Sequence, residues 1–346
     1  METLMRKEIL SQSTVLKNTY QTNLELAQKI ASVVKERGIK HIMVAARGSS
    51  NNSLVYFKYL CEIYAAIPVT FINPSVITLY SSKLNMKDAL VMGVSQSGKA
   101  LDVLLVMQEA ERQGALTLAV TNNLNSPMAL NFQYHFYLDV GEELSVAATK
   151  TFTAQMLIMK MLAVALTEEE ELVPSRMLKL PLLFERVFAL EEKIEKLADA
   201  LLNTQQMIVL SRGIALAAGQ EIALKLQETC YLNARPYAIS DFYHGPFALI
   251  SQESNVLVFA LKGKAFDDAV KMLEKLEASG CAITLFTQSE ELAAKYKNSL
   301  LLPDADETLS PFVAVAAGQL LSLHLSLKRG LNPDAPRGLN KVTVTK

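Results

Sequence analysis

The chain has 346 residues, half of them apolar and a fifth charged, which suits two packed domains and excludes a disordered chain. Lys plus Arg (34) balances Asp plus Glu (35), so no basic surplus calls for nucleic acid. The cysteines, Cys61, Cys230 and Cys281, are far apart and odd in number, which argues against a disulfide framework and points to a reducing, cytoplasmic home.

From Met1 to Glu8 the chain carries both signs of charge and lacks the apolar core of a signal peptide. The first 36 residues have a helical pattern, with Leu16, Leu24, Ala27, Ile30, Val33 and Val34 as the expected inner face. His41 to Ser50 reads as an apolar strand, a Gly turn and a helix running to Tyr64. A second strand, Ala89 to Val94, leads into Ser95-Gln96-Ser97-Gly98, a helix ending near Gly114 and a strand from Leu116 to Thr121. The longest apolar stretch is read as Met156 to Leu166. It is broken by Lys160 and falls short of the ~20 residues a membrane helix needs, so no membrane partner is expected. Pro174 to Asn203 reads as a helical connection packed on both halves through Leu178, Leu182, Leu183, Val187, Leu190, Ile194 and Leu197.

The second half retraces the first. Gln206 to Gly213 repeats the strand and Gly turn, with a helix to Tyr231, and Arg212 follows Arg47 by 165 residues. Asn255 to Leu261, then Lys262-Gly263-Lys264, a helix ending at Gly280 and a strand from Ala282 to Thr287 repeat the second unit. The offset from Gly114 to Gly280 is 166, far longer than the ~20–50 residue periods of solenoids, so a whole domain is duplicated. Apolar strands without polar alternation, separated by helices, predict an α/β chain with a doubly wound parallel sheet in each half. The expected domains are residues 1–170 with the N-terminal helices, 171–330 with the linking helices, and a tail, 331–346. From Asn332 to Lys341 the tail holds too many helix breakers to be regular, so contacts must pin it or it moves.

Ser95-Gln96-Ser97-Gly98 sits between a buried strand and a helix start, where unpaired N–H groups and the helix dipole suit an anion. The bland alternative is that these serines only cap the helix. Arg47-Gly48-Ser49-Ser50-Asn51-Asn52-Ser53 is a second hydroxyl-rich loop at an equivalent strand end. Neither loop matches a dinucleotide or nucleoside-triphosphate fingerprint, which leaves a smaller phosphorylated ligand and no nucleotide cofactor. Glu221, Lys225 and Glu228 share one helix face, a pattern that most often marks a solvated, salt-bridged surface. His244 stands before the constrained turn Gly245-Pro246, whereas His41, His135 and His324 have no such context. No His/Cys/carboxylate cluster has metal-ligand spacing, so no metal is expected.

Several stretches resemble the isomerase domain of the glutamine–fructose-6-phosphate aminotransferase family, a tandem pair of SIS domains. They are Lys7-Glu8-Ile9, Arg47-Gly48-Ser49-Ser50, Ser95-Gln96-Ser97-Gly98, Val146-Ala147-Ala148-Thr149-Lys150-Thr151-Phe152-Thr153, Glu221 through Glu228, His244-Gly245-Pro246 and the tail Pro336 to Val344. The resemblance extends to SIS-type glucosamine-6-phosphate deaminases and fructosamine deglycases, and implies flavodoxin-like α/β/α sandwiches. It implies that Ser50, Ser95, Gln96 and Ser97 hold a phosphate, with Ser49, Val146, Ala148 and Glu221 lining the same pocket. It further implies that Glu228 moves a proton between C1 and C2, with Lys225 beside it. Lys341 would form a Schiff base, and His244 would assist ring opening from a neighbouring subunit, so a homodimer sharing its active site is expected.

Lys99 and Ala100 stand where that family has Glu and Thr, and Ala148 where it has Ser. The chain starts at the sugar domain, so it is not expected to draw ammonia from glutamine. The expected function is conversion of a hexose 6-phosphate or amino-sugar 6-phosphate, with glucosamine 6-phosphate to fructose 6-phosphate plus ammonia in the lead. A fructosamine-6-phosphate deglycase and a non-catalytic sugar-phosphate sensor are the alternatives.

Overall fold

The structure, a computed structural model, describes residues 2–167 and 174–341. The expected domain boundary at 170/171 and the tail residues Val342, Thr343 and Val344 lie outside the described residues. In chain order the first half forms α1 (Leu4–Leu10), α2 (Gln12–Glu36), β1 (Ile42–Ala45), α3 (Gly48–Leu60), β2 (Val69–Phe71), α4 (Ser75–Thr78) and β3 (Leu90–Val94). It continues with α5 (Leu101–Arg112), β4 (Leu116–Thr121), α6 (Pro127–Asn131), β5 (Tyr134–Tyr137) and α7 (Lys150–Ala165). The second half opens with α8 (Leu180–Phe188), α9 (Glu191–Ala200), β6 (Gln206–Ser211), α10 (Leu216–Cys230), β7 (Asn233–Ala238) and α11 (Ile239–Tyr243). It closes with β8 (Asn255–Ala260), α12 (Phe266–Ala278), β9 (Ala282–Thr287), α13 (Glu290–Lys295), β10 (Ser299–Leu301) and α14 (Ser310–Lys328).

The strands pair in parallel into two five-stranded sheets, ordered β2-β1-β3-β4-β5 and β10-β9-β8-β6-β7. Read from its other edge, the second order is β7-β6-β8-β9-β10, the topology of the first. Both are the flavodoxin-like order 2-1-3-4-5, and helices flank each sheet. The central strands β1, β3 and β4 are buried at every position, as a sheet covered on both faces requires. In each sheet the winding reverses between the first and third strands. The carboxyl ends of those two strands are therefore where a ligand crevice opens.

Compact units cut across this order. The first-sheet unit comprises Thr14–Glu143, Lys150–Leu178 and the tail from Leu339; the second-sheet unit comprises Met1–Ser13, Leu144–Thr149 and Lys179–Gly338. One core gathers Met43, Val91, Val103, Val106, Met107 and Met128, the other Leu210, Phe242, Val256, Met272, Leu276 and Leu285.

Three expectations change at this level. On α2, Leu16, Ala27, Ile30 and Val34 are buried, but Leu24 and Val33 only partly so. Asn23 is buried instead, its Nδ2 donating to the carbonyls of Thr19 and Tyr137 (both 2.8 Å). In the connection, Leu178 and Leu182 are exposed. The buried stripe of α8 is Leu180, Leu183, Phe184 and Val187, an i, i+3, i+4, i+7 set whose phase excludes Leu182. The longest apolar helix is α14, not the Met156 to Leu166 stretch. At 19 residues and mean hydropathy 1.4 it meets the length and composition of a membrane span, yet 89% of that window is buried within the protein.

Candidate active site

The first-sheet unit carries both hydroxyl-rich loops. β1 runs into Arg47 and Gly48, whose φ of +51° turns the chain into α3. This places Ser49 and Ser50 in the first turn of the helix. Ser50 is buried and its Oγ accepts from Gln155 Nε2 of α7 at 3.0 Å. β3 runs into Ser95, whose N–H bonds the Val120 carbonyl (3.1 Å), while the Gly98 N–H closes a turn onto the Ser95 carbonyl (3.0 Å). Asn122 N–H holds the Gln96 carbonyl (2.9 Å), and Lys99 N–H donates to Ser97 Oγ (3.3 Å). Gly98 has φ +64°, and a Cβ there would lie 2.1 Å from Ser126 Oγ, so only glycine fits this approach. The two loops leave the carboxyl ends of β1 and β3, neighbours in the sheet at its switch point.

Asp102, in the first turn of α5, ties the loops together. Its Oδ2 accepts from Arg47 Nε at 2.8 Å and its Oδ1 from the Val103 N–H at 2.9 Å, with only 1% of the side chain exposed. Nothing in the sequence pattern singled out Asp102. Ala100 occupies the N-cap of α5 and supplies no side-chain bond, so this helix start has no capping hydroxyl.

The same unit holds Lys341, whose Nζ bonds Glu143 Oε2 at 2.7 Å. Glu143 is buried and accepts also from Thr151 N–H (3.0 Å) and Thr151 Oγ1 (2.7 Å). The tail lysine therefore meets a prearranged carboxylate, a second residue that the sequence pattern did not reveal.

In the second-sheet unit, α10 lies close on β6 because Gly219 faces Ser211, where a Cβ would stand 2.2 Å from its Oγ. Glu221 and Lys225 of the same helix are both fully buried. Lys225 Nζ reaches Glu228 Oε2 at 2.5 Å and Glu221 Oε1 at 3.4 Å; Glu228 is 22% exposed. The solvated-face reading of this trio is thus corrected: the helix surface that carries it is packed inward. An ammonium buried without solvent needs counter-charge, and two carboxylates at helical spacing provide it.

His244 caps α11 through its N–H to the Asp241 carbonyl (3.0 Å), and its side chain is exposed. It makes no hydrogen bond to the α10 trio. The other histidines serve as structural partners: His41 with Thr70, His135 with Thr121, His324 with Glu191. Val146 and Ala148 are partly buried on the 144–149 segment, where Val146 N–H bonds the Asp334 carbonyl (3.1 Å). Glu8 of α1 fixes this segment, its carboxylate accepting from Leu144 N–H (2.5 Å) and from the N–H and hydroxyl of Ser145. Asp334 in turn accepts from Leu4 and Met5 N–H (3.0 and 2.8 Å), which pins part of the tail.

The structure thus groups Ser49, Ser50, Ser95, Gln96, Ser97 and Lys341 in one unit and Val146, Ala148, Glu221, Lys225, Glu228 and His244 in the other. Among the described residues no group of three His, Cys, Asp or Glu is arranged to hold a metal ion.

A family model described as SIS domain matches residues 37–165 and 200–329. Over 343 residues the chain is 32% identical to the isomerizing glutamine–fructose-6-phosphate aminotransferase of Aquifex aeolicus, covering 99% of this chain and 57% of that protein. The chain thus spans a little over half the length of the curated relatives it matches. Among solved structures, the C-terminal domain of glucosamine-fructose-6-phosphate aminotransferase from Francisella tularensis superposes with a TM-score of 0.88 at 25% identity, over 97% of this chain and 98% of that one. Glucosamine-6-phosphate deaminase from Thermotoga maritima shares the fold, with a TM-score of 0.77 at 20% identity over 99% of this chain and 100% of that one.

Proposed function

The chain belongs to the SIS domain family, as a protein of the phosphosugar isomerase type, and we propose that it acts on a hexose 6-phosphate or amino-sugar 6-phosphate by proton transfer between C1 and C2. The leading substrate is glucosamine 6-phosphate, converted to fructose 6-phosphate and ammonia in the cytoplasm by a homodimer. The observation that carries this reading is the Glu221–Lys225–Glu228 run on α10. It ends in a carboxylate that is partly exposed while its neighbours are sealed.

In the open-chain aldose the C2 hydrogen lies beside the C1 carbonyl. Glu228, partly exposed and so open to exchange with water, takes that proton and protonates C1, which leaves C2 as an imine bound for the ketone and ammonia. Proton transfer of this kind needs a carboxylate held in place with its surroundings dry. Lys225 holds the Glu228 oxygen at 2.5 Å and balances its charge. Lys341 serves the imine step: its neutral amine adds at C2 and expels ammonia, and water then cleaves the lysine imine to the ketone and frees the lysine, with Glu143, already hydrogen-bonded to it, as the base in place to take its proton. The serine loops at the switch point bind the phosphate, whose binding energy orients the distant reacting carbons. His244, exposed on its turn, assists ring opening in the neighbouring subunit.

The test is a substrate screen on the full chain. Ammonia and fructose 6-phosphate appearing in equal amounts from glucosamine 6-phosphate is the expected result. Amine release from phosphorylated fructosamines alone would reassign the substrate, and tight binding of these compounds with no turnover would overturn the enzymatic reading.

A further inference from the structure

We propose that Arg47 is a further phosphate-binding residue, held by Asp102 through Nε so that its two terminal nitrogens serve the ligand. This rests on the reading of the serine loops as a phosphate site. Ser49, Ser50, Ser95, Gln96 and Ser97 are neutral, and Ala100 adds no hydroxyl at the start of α5. A phosphate dianion draws strength from charge-assisted, forked donors, and a guanidinium is the side chain best shaped to give them. Arg47 sits at the N-cap of α3, beside one loop, and bonds the first turn of α5, beside the other; its side chain is 53% exposed.

The bonding pattern separates Arg47 from the structural arginines. Arg6 grips Glu191, and Arg112 grips Glu109, through both Nε and Nη2. Arg47 engages Asp102 through Nε alone, while Oδ1 of Asp102 accepts the Val103 N–H. The buried carboxylate thus fixes the guanidinium plane without consuming its outer donors.

The duplicated half provides an internal control. Arg212, 165 residues on, pairs with Asp268 through the same atoms at the same 2.8 Å. There, however, the loop after β8 is Lys262-Gly263-Lys264 and holds no serines. Glu307 has its carboxylate bonded to the Lys264 N–H (2.9 Å) and packed against Gly263. The anion place beside that loop is filled by the protein itself. The Arg–Asp pair is therefore common to both halves, and the serine-bearing loop beside it belongs to Arg47 alone.

Inorganic phosphate, competing against turnover of glucosamine 6-phosphate, reads the proposal directly. Arg47→Met is expected to raise both KM and the inhibition constant for phosphate roughly tenfold or more, the loss of a charge-assisted contact. Its kcat should change far less, Arg47→Lys should recover part of the affinity, and Arg212→Met should leave both constants where they were. Unchanged phosphate inhibition in a folded, active Arg47→Met protein would overturn the proposal, as would an equal shift in Arg212→Met. Should Arg47→Met fail to fold with Asp102 left unpaired, the double variant Arg47→Met/Asp102→Asn removes that charge and gives the same reading. If the wild-type chain turns over no sugar phosphate, titration calorimetry with inorganic phosphate still tests Arg47, while the failure falls on the proposed reaction.

Discussion

Lys225 has no solvent to stabilise its charge, so its two carboxylates do that work. Replacing it with Met would leave Glu221 charged and buried with its counter-ion gone. The expected cost is about 3–5 kcal/mol of unfolding free energy, measured by urea denaturation of the full chain. The cysteines give a second test at this scale. Burial pushes Cys61 well above the ordinary thiol range and Cys230 up to about 11; Cys281 is raised as well, but it is only partly buried where the other two are buried. A disulfide reagent at pH 8 should therefore label Cys281 first, with Cys61 and Cys230 following only on unfolding. The place of Ser95–Gly98 between a buried strand and a helix start was legible in the sequence. Asp102 and Glu143 were not, because an acid looks alike on a surface or in a core. Only the fold decides that Arg47, 55 residues from Asp102, and Lys341, 198 from Glu143, meet them. The same blindness made the α10 trio read as a solvated face.

Strand–turn–helix signals were the most legible elements. β4 and β9 occupy the spans expected for them, because continuous apolar runs bounded by Gly and polar turns leave little freedom. Helix phase was less legible: a short 3-10 turn from Pro174 to Lys179 precedes α8, so a stripe extrapolated from Leu178 points Leu182 the wrong way. Glycines decide two close approaches. Gly98→Ala must fit a Cβ beside Ser126 at a left-handed φ, and should weaken inorganic phosphate binding along with stability, both read on one sample by calorimetry. Gly318→Ala would put a Cβ of α14 within 2.4 Å of Ile222 of α10, an overpacking expected to cost about 1–3 kcal/mol. Acid sensitivity belongs to α1 and α9. The hydrogen bond from Arg6, with His324 adding to it, holds Glu191 below the usual carboxylate range despite partial burial. A lowered folded-state value means that this contribution is whole above the unfolded carboxyl's pKa and disappears as pH falls through the folded one. Glu191→Gln should thus lower the melting temperature at neutral pH and lose that difference from wild type in strongly acid buffer.

At the scale of the whole chain, duplication explains why one sequence builds two sheets with one strand order. The repeat was readable because two strand-turn-helix units recur at nearly one offset. Less readable was the grouping of residues 1–13 and 144–149 with the second sheet, which depends on single long-range bonds such as Glu8 to Ser145 and Gln12 to Gln319 (2.9 Å). Divergence between the halves is as informative as their likeness. One switch point keeps a hydroxyl-lined loop, whereas at the other Glu307 bonds the loop's backbone. The proposed function assigns phosphate binding to the serine loops and acid–base chemistry to Glu228. The decisive measurement is Glu228→Gln with glucosamine 6-phosphate in heavy water. Wild type should form fructose 6-phosphate with solvent deuterium at C1, and the variant should bind the same sugar with similar affinity yet lose turnover by roughly a hundredfold or more. Product forming at the wild-type rate in Glu228→Gln would contradict the account.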